Sequence, residues 1–181
     1  MNTKNITIEE ARAKISPTSD IFARWLLSAP NHEHLTKAFI NAVLEDAGHE
    51  QIASVTILSP FNLAQSMTRK ETVLDVKVSD SSGRTYDVEI QTTTAEMFWN
   101  RITYYNNAMY NAQLGTSEQY DRLKNTTVIA LLTKHIYSMK TSSGPEEKLH
   151  HYSLVVHEDN HDELFYPNGD PEKFHIIELD R

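Results

Sequence analysis

Residues 73–91 read Val73-Leu74-Asp75-Val76-Lys77-Val78-Ser79-Asp80-Ser81-Ser82-Gly83-Arg84-Thr85-Tyr86-Asp87-Val88-Glu89-Ile90-Gln91, and this stretch decides the fold. Leu74, Val76 and Val78 alternate with Asp75 and Lys77, and Tyr86, Val88 and Ile90 alternate with Asp87, Glu89 and Gln91, which is the period of two strands. If Ser81-Ser82-Gly83 is a three-residue loop with Gly83 left-handed, paired residue numbers sum to 164. That register sets Val78 opposite Tyr86, Val76 opposite Val88 and Leu74 opposite Ile90, one wholly apolar face, with Asp80 facing Arg84 at the tip. The other face sets Lys77 opposite Asp87 and Asp75 opposite Glu89, with Cβ atoms about 4.5–5.5 Å apart. Directly opposed like charges are destabilising unless a cation or proton resolves them, so Asp75 and Glu89 are a candidate site. The plainer alternative is a solvated polar face on an edge hairpin. A slip of one residue would turn the acids into the apolar face.

Before the hairpin the patterns are helical. Thr7 and Glu10 fit a capping box opening a short arm that Ser16-Pro17 ends. A short helix follows Thr18 or Ser19, with Phe22, Trp25, Leu26 and Ala29 on one face, and Pro30 closes it. Asn31 caps a longer helix with Leu35, Ala38, Phe39 and Ala42 on its stripe, extended by Val43 and Ala47 and stopped by Gly48. Residues 52–58 alternate as a strand, and 59–70 are a polar connection.

After the hairpin, Thr93 and Glu96 form a second capping box for a helix of about twenty residues. Its stripe is Phe98, Ile102, Tyr105, Met109 and Ala112, with Arg101 and Tyr104 beside it and Gly115 at its end. Residues 127–132 are a continuous apolar run, the mark of a strand buried on both faces. Residues 152–157 and 174–179 read as two further strands separated by an acidic linker. The order predicts an α/β fold, a mixed sheet flanked by helices.

A chain of 181 residues with 39% hydrophobic and 23% charged residues is expected to be one folded domain over 1–181. Cysteine is absent, which excludes disulfides, thiol nucleophiles and cysteine-bound metal. No run has the length of a membrane-spanning helix and the start lacks an apolar secretory segment, so a cytoplasmic protein without membrane contact is expected. The net charge of −8 argues against a general polyanion-coating protein. Residues 140–181 hold ten acidic against four basic side chains, so the remainder is nearly neutral and compatible with a local basic groove. Among nine histidines, neither His32 with His34 nor the adjacent His150 and His151 has helical metal-ligand spacing, and all are expected on the solvated surface. Trp25 and Trp99 are expected in the core or at an interface.

An Asp on one strand and a Glu two residues before a polar side chain on the next form a minimal clamp for a hard cation. Mg²⁺ takes oxygen ligands, keeps several waters and is satisfied by one or two carboxylates plus a substrate phosphate. Phosphodiester hydrolysis is the natural reaction.

Several segments carry a resemblance in the right order. They are residues 16–22 (SPTSDIF), Lys70 leading to Leu74-Asp75-Val76-Lys77, Val88-Glu89-Ile90-Gln91, Phe98 with Arg101 and Tyr104-Tyr105, and Gln113-Leu114-Gly115 before Tyr120. Together they resemble the recombination-promoting nuclease (Rpn), transposase-like branch of the PD-(D/E)XK nucleases over about residues 16–133. Residues 174–179 resemble the strand that follows the nuclease core. The resemblance implies a restriction-endonuclease-like core and Mg²⁺-dependent DNA cleavage associated with recombination or transposition, with Mn²⁺ as a substitute metal. Asp75 and Glu89 would then be the metal-binding acids, and Gln91 stands where the E-x-K lysine usually stands, as is common in this branch.

A glutamine amide orients a water or touches a phosphate but supplies no positive charge. Lys77 or Lys70 would supply it, although Asp87 is also an ordinary cross-strand partner for Lys77. Asp20 would add a supporting carboxylate or simply favour a helix N-terminus. Arg101 would reach phosphate or brace Glu89, and Tyr104 and Tyr105 are expected to pack rather than to stack on bases. DNA is the expected partner, and a homodimer is expected because a double-strand break needs two sites. Residues 134–181 are expected to be additional strands and linker, in a member shortened relative to its family. Two other readings compete: a catalytically silent nuclease-like module that binds nucleic acid or protein, and a glycoside hydrolase using the two acids, whose surroundings are short of aromatic residues.

Overall fold

The computed structural model of the chain describes residues 20–58, 76–91, 97–133, 151–155 and 172–179. In chain order its elements are helix α1 (Asp20–Ser28), helix α2 (Glu33–Asp46), strand β1 (Val55–Leu58), strand β2 (Val76–Asp80), strand β3 (Thr85–Gln91), helix α3 (Phe98–Asn111), a 3-10 turn (Tyr120–Arg122), and strands β4 (Thr126–Leu132), β5 (His151–Leu154) and β6 (Glu172–Glu178). The strands form one mixed sheet in the order β1-β2-β3-β4-β6-β5. β3, β4 and β6 run parallel, while β1, β2 and β5 pair antiparallel to their neighbours.

The described part of the hairpin has the predicted register: Val76 pairs with Val88, Lys77 with Asp87 and Val78 with Tyr86. Its tip is held as the loop requires, with Gly83 at φ 86° and its N–H donating to the Asp80 carbonyl at 3.1 Å. The Asp80 carboxylate accepts from Ser82 and Arg84, the Arg84 Nε at 2.6 Å. Burial alone would raise this carboxyl, but those donors outweigh it and hold its pKa below the ordinary value. The hairpin is not at an edge. β1 pairs along β2, with Val55 opposite Asp80 and Ile57 opposite Val78.

Helices cover both faces, and each face has its own core. Leu27, Ile40, Val43, Leu44, Ile52, Val76, Val78, Tyr86, Val88 and Ile129 pack together under α1 and α2. Phe98, Ile102, Met109, Val128, Ala130, Leu132 and Ile176 pack under α3. β4 sends Ile129 to the first core and Val128, Ala130 and Leu132 to the second, which is why residues 127–132 show no alternation.

The helices exist where expected, but their buried stripes are rotated. α1 buries Ala23 and Leu27 and leaves Trp25 58% exposed, which corrects both the expected stripe and the core reading of that tryptophan. Trp99 is exposed too. α2 buries Thr36, Ile40, Val43 and Leu44, while Ala38 and Ala42 face solvent. Bulkier aliphatic groups gain more by burial than alanines, and the Thr36 hydroxyl is satisfied by donating to the Leu27 carbonyl at 2.6 Å. The residue before α2 is His32, without a side-chain cap, and Asn31 instead forms a left-handed turn at φ 68°. Gly48 ends α2 as predicted, in a Schellman arrangement: its N–H donates to Glu45 and that of His49 to Leu44.

α3 has 14 residues rather than about twenty, and the capping box of Thr93 and Glu96 lies outside the described residues, as does the arm at 7–14. Its stripe includes Asn106, buried because its amide donates to the Lys173 carbonyl at 3.3 Å, whereas Ala112 is exposed. β5 and β6 lie where sequence placed strands, shifted by one or two residues at their starts.

Candidate active site

Alternation along β3 puts Asp87, Glu89 and Gln91 on one face, and cross-strand pairing adds Lys77. This is the sheet face on which α3 packs, over β4 and β6, and the four side chains are not solvated: residue exposures are 0% for Asp87, 4% for Glu89, 7% for Lys77 and 8% for Gln91. The edge-hairpin alternative is thereby overturned for these positions. Buried charge must be compensated, and opposite signs meet here. Burial holds the Lys77 pKa below its ordinary value even though the negative charge of Asp87 pulls it up.

The charge on Glu89 is met from the helix. Arg101, three residues after Phe98 on α3, donates through one nitrogen, Nη2, to both Glu89 Oε1 and Gln91 Oε1. A guanidinium has donors only, so Gln91 presents its carbonyl oxygen. The guanidinium carbon lies 5.8 Å from the centre of the Tyr105 ring. Tyr105 is half-buried against the second core and Tyr104 is exposed, in keeping with packing for the first of them.

Of the sequence candidates, the structure therefore brings together Glu89, Gln91, Lys77 and Arg101. Asp75 and Lys70 lie outside the described residues. Asp20 is the first residue of α1, and its side chain lies outside them too.

Two features escaped the sequence reading. Glu178 on β6 is buried at the C-terminal end of the parallel strands, in one row with Leu132 and Gln91. Its only sequence signal is an acid interrupting an apolar strand. Gln113 of the Gln113-Leu114-Gly115 motif pairs with the backbone of Lys124, donating to its carbonyl at 2.8 Å and accepting from its N–H at 2.7 Å. That amide mimics a strand neighbour and sets the start of β4.

The histidines need correction. His151 Nδ1 lies 2.5 Å from Asp46 Oδ2, and its Nε2 lies 3.0 Å from Nδ1 of the fully buried His175. His49 packs edge-on against His175, with ring centres 5.5 Å apart. His32 is half-buried, with Nδ1 2.7 Å from the Leu26 carbonyl. Only His34 of those singled out and described is exposed.

Among the described residues no three carboxylate or imidazole groups are spaced to hold a metal ion. Two oxygens nevertheless converge on one cationic point, Glu89 Oε1 and Gln91 Oε1 on Arg101 Nη2, so this donor set accepts a cation. Hard oxygen donors of this kind suit Mg²⁺ or Mn²⁺.

A mixed sheet with helices on both faces and a buried acid-and-amide pair at the end of a central strand is the architecture of a restriction-endonuclease-like α/β protein. The family model described as PD-(D/E)XK nuclease family transposase matches residues 17–181, and the chain belongs to that family. The match extends past residue 133 through β5 and β6. No curated protein and no solved structure matches the chain. PD-(D/E)XK nucleases generally use divalent metals, and the family points to nucleic acid as the partner. No helix among the described residues is long and apolar enough to cross a membrane.

Proposed function

We propose that this chain is a divalent-metal-dependent DNA endonuclease that hydrolyses phosphodiester bonds, acting in recombination or transposition, with Mg²⁺ as its metal. The observation that carries the reading is the convergence of Glu89 and Gln91, two residues apart on β3, on a single positive charge in a buried setting. Glu89 and Asp75 are the residues we assign to the metal, Asp75 on its sequence position immediately before β2. Bound there, the metal would polarise the phosphoryl oxygen and acidify an attacking water. Gln91 orients that water, and Lys77 keeps the acidic face balanced through Asp87. Lys70 and Asp20 are proposed as supporting groups, and a homodimer as the state that breaks both strands.

Nicking of supercoiled plasmid tests the reading. We expect nicking in Mg²⁺ and in Mn²⁺, none in chelator, and loss in both Asp75→Ala and Glu89→Ala with the fold retained. Full nicking by Asp75→Ala would remove that residue from the site.

One observation favours a second reading, a silent nucleic-acid-binding module. Gln91 has no charge, and Lys77 is buried against Asp87 with its basicity lowered, so neither offers the free cation of an E-x-K site. That reading predicts salt-sensitive DNA retention without cleavage in either metal.

A further inference from the structure

We propose that Arg101 is an exchangeable counter-ion: it holds Glu89 and Gln91 together in the metal-free protein and yields Glu89 to a divalent cation, after which its guanidinium meets the substrate phosphate. The inference rests on the nuclease reading for its second half and on the geometry of α3 and β3 for its first.

The Glu89 side chain is only 5% exposed, so its charge needs a cation beside it at all times. In the structure Arg101 supplies such a charge, through one nitrogen shared between Glu89 and Gln91, and so occupies the Glu89 oxygen that a metal held there would take. The two occupants exclude each other.

Arg101 is built to leave. It projects from α3 rather than from the sheet, and although its Nε is buried a third of its side chain is exposed, so part of the group already meets solvent. Tyr105, four residues on along the same helix, already has the guanidinium over its ring, 5.8 Å from the centre, a contact made from α3 itself and not through Glu89. A planar guanidinium also forms bidentate contacts with a phosphate, which Gln91 and the Asp87-facing Lys77 do not. Exchange places two positive charges where one stood and frees the guanidinium for an incoming anion. Metal and substrate would thus be admitted in order.

The test uses the full chain and Mn²⁺ as probe, with thermal unfolding and metal affinity as readouts besides cleavage. We expect Arg101→Met to melt lower than wild type in chelator, because Glu89 loses the positive charge that Arg101 supplies, and Mn²⁺ to restore most of that loss. Its Mn²⁺ affinity should be tighter than wild type by on the order of tenfold, the size of one charge-assisted hydrogen bond. Arg101→Lys, which keeps the charge, should stay near wild type in metal affinity, and Glu89→Gln/Arg101→Met should show no restoration.

With Ca²⁺ supporting DNA binding, Arg101→Met should hold a short duplex about tenfold more weakly than wild type. If Arg101→Met is destabilised and Mn²⁺ restores nothing, or if its metal affinity is unchanged or weaker, Arg101 is a fixed brace and the proposal falls. If Arg101→Met does not fold in chelator, refolding with Mn²⁺ succeeds under the proposal and fails without it. Restoration by Mn²⁺ in a protein that cleaves no DNA would sustain the exchange and overturn the nuclease reading instead.

Discussion

Lys77 and Asp87 show what a buried charge costs when it loses its counterpart. They face each other across β2 and β3, and both are almost entirely shielded from water. Removing one member leaves the other ionised in an apolar setting or forces it neutral, a penalty of about 3–5 kcal/mol. We therefore expect Asp87→Ala and Lys77→Met each to lower unfolding free energy in urea by that amount. Replacing both with apolar residues, as in Lys77→Met/Asp87→Leu, should recover most of the loss, because no charge remains to be solvated. If the double variant is as unstable as the sum of the singles, the two charges do not compensate each other. Sequence made this pair legible because register alone set Lys77 against Asp87. It left the pair's burial illegible, since burial depends on what packs over the face, which no local pattern announces.

At the scale of elements, the hairpin was readable and the helix stripes were not, for different physical reasons. Strand alternation flips every side chain when the register slips by one, so apolar pairs and a turn glycine admit one solution. A helix rotated by 100° still offers apolar groups: Leu35 and Phe39 remain half-buried although Thr36, Ile40 and Val43 took the core. The turn glycine can be tested directly. Gly83 sits at φ 86°, and a Cβ added there would stand 3.4 Å from the Lys124 Cγ, ordinary contact with a flexible side chain. The cost of Gly83→Ala is then conformational, about 1–2 kcal/mol for an L-residue in the left-handed region. Gly48→Ala, at φ 70° with open space around it, should cost a similar amount. Urea denaturation of the two variants checks this. A much larger loss in Gly83→Ala alone would mean that the space, not the backbone angle, is decisive.

Across the whole molecule, the face opposite the candidate active site carries a device that joins segments far apart in the chain. Asp46 and His49 at the end of α2 meet His151 and Ser153 of β5 and His175 of β6, spanning 105 residues between Asp46 and His151. Spacing so long leaves no sequence signature, which is why the histidines read as surface groups. His175 Nδ1 faces His151 Nε2, while His175 Nε2 is buried without a hydrogen-bond partner among the described residues. Protonating His175 would set an N–H there with no acceptor. Burial, and then the positive charges of His151, His49 and Lys173, hold its pKa down at about 3 against 6.5 unfolded. Between those values the unfolded chain binds the proton and the folded chain does not, so folding stability rises with pH. The stabilisation is complete above about pH 6.5 and is lost as pH falls toward 3, at roughly 1.4 kcal/mol per unit for one proton. His49, shifted in the same direction, adds to the slope. We expect urea unfolding measured from pH 7 to 4 to show this decline, and His175→Leu, which carries no proton, to flatten it by about one proton's worth. Hydrogen exchange at pH 5 should show β5 opening before β3, because among the described strands β5 is at the edge of the sheet, with β6 as its only neighbour. An unchanged slope in His175→Leu would place the acid sensitivity in the carboxylates rather than in this histidine cluster.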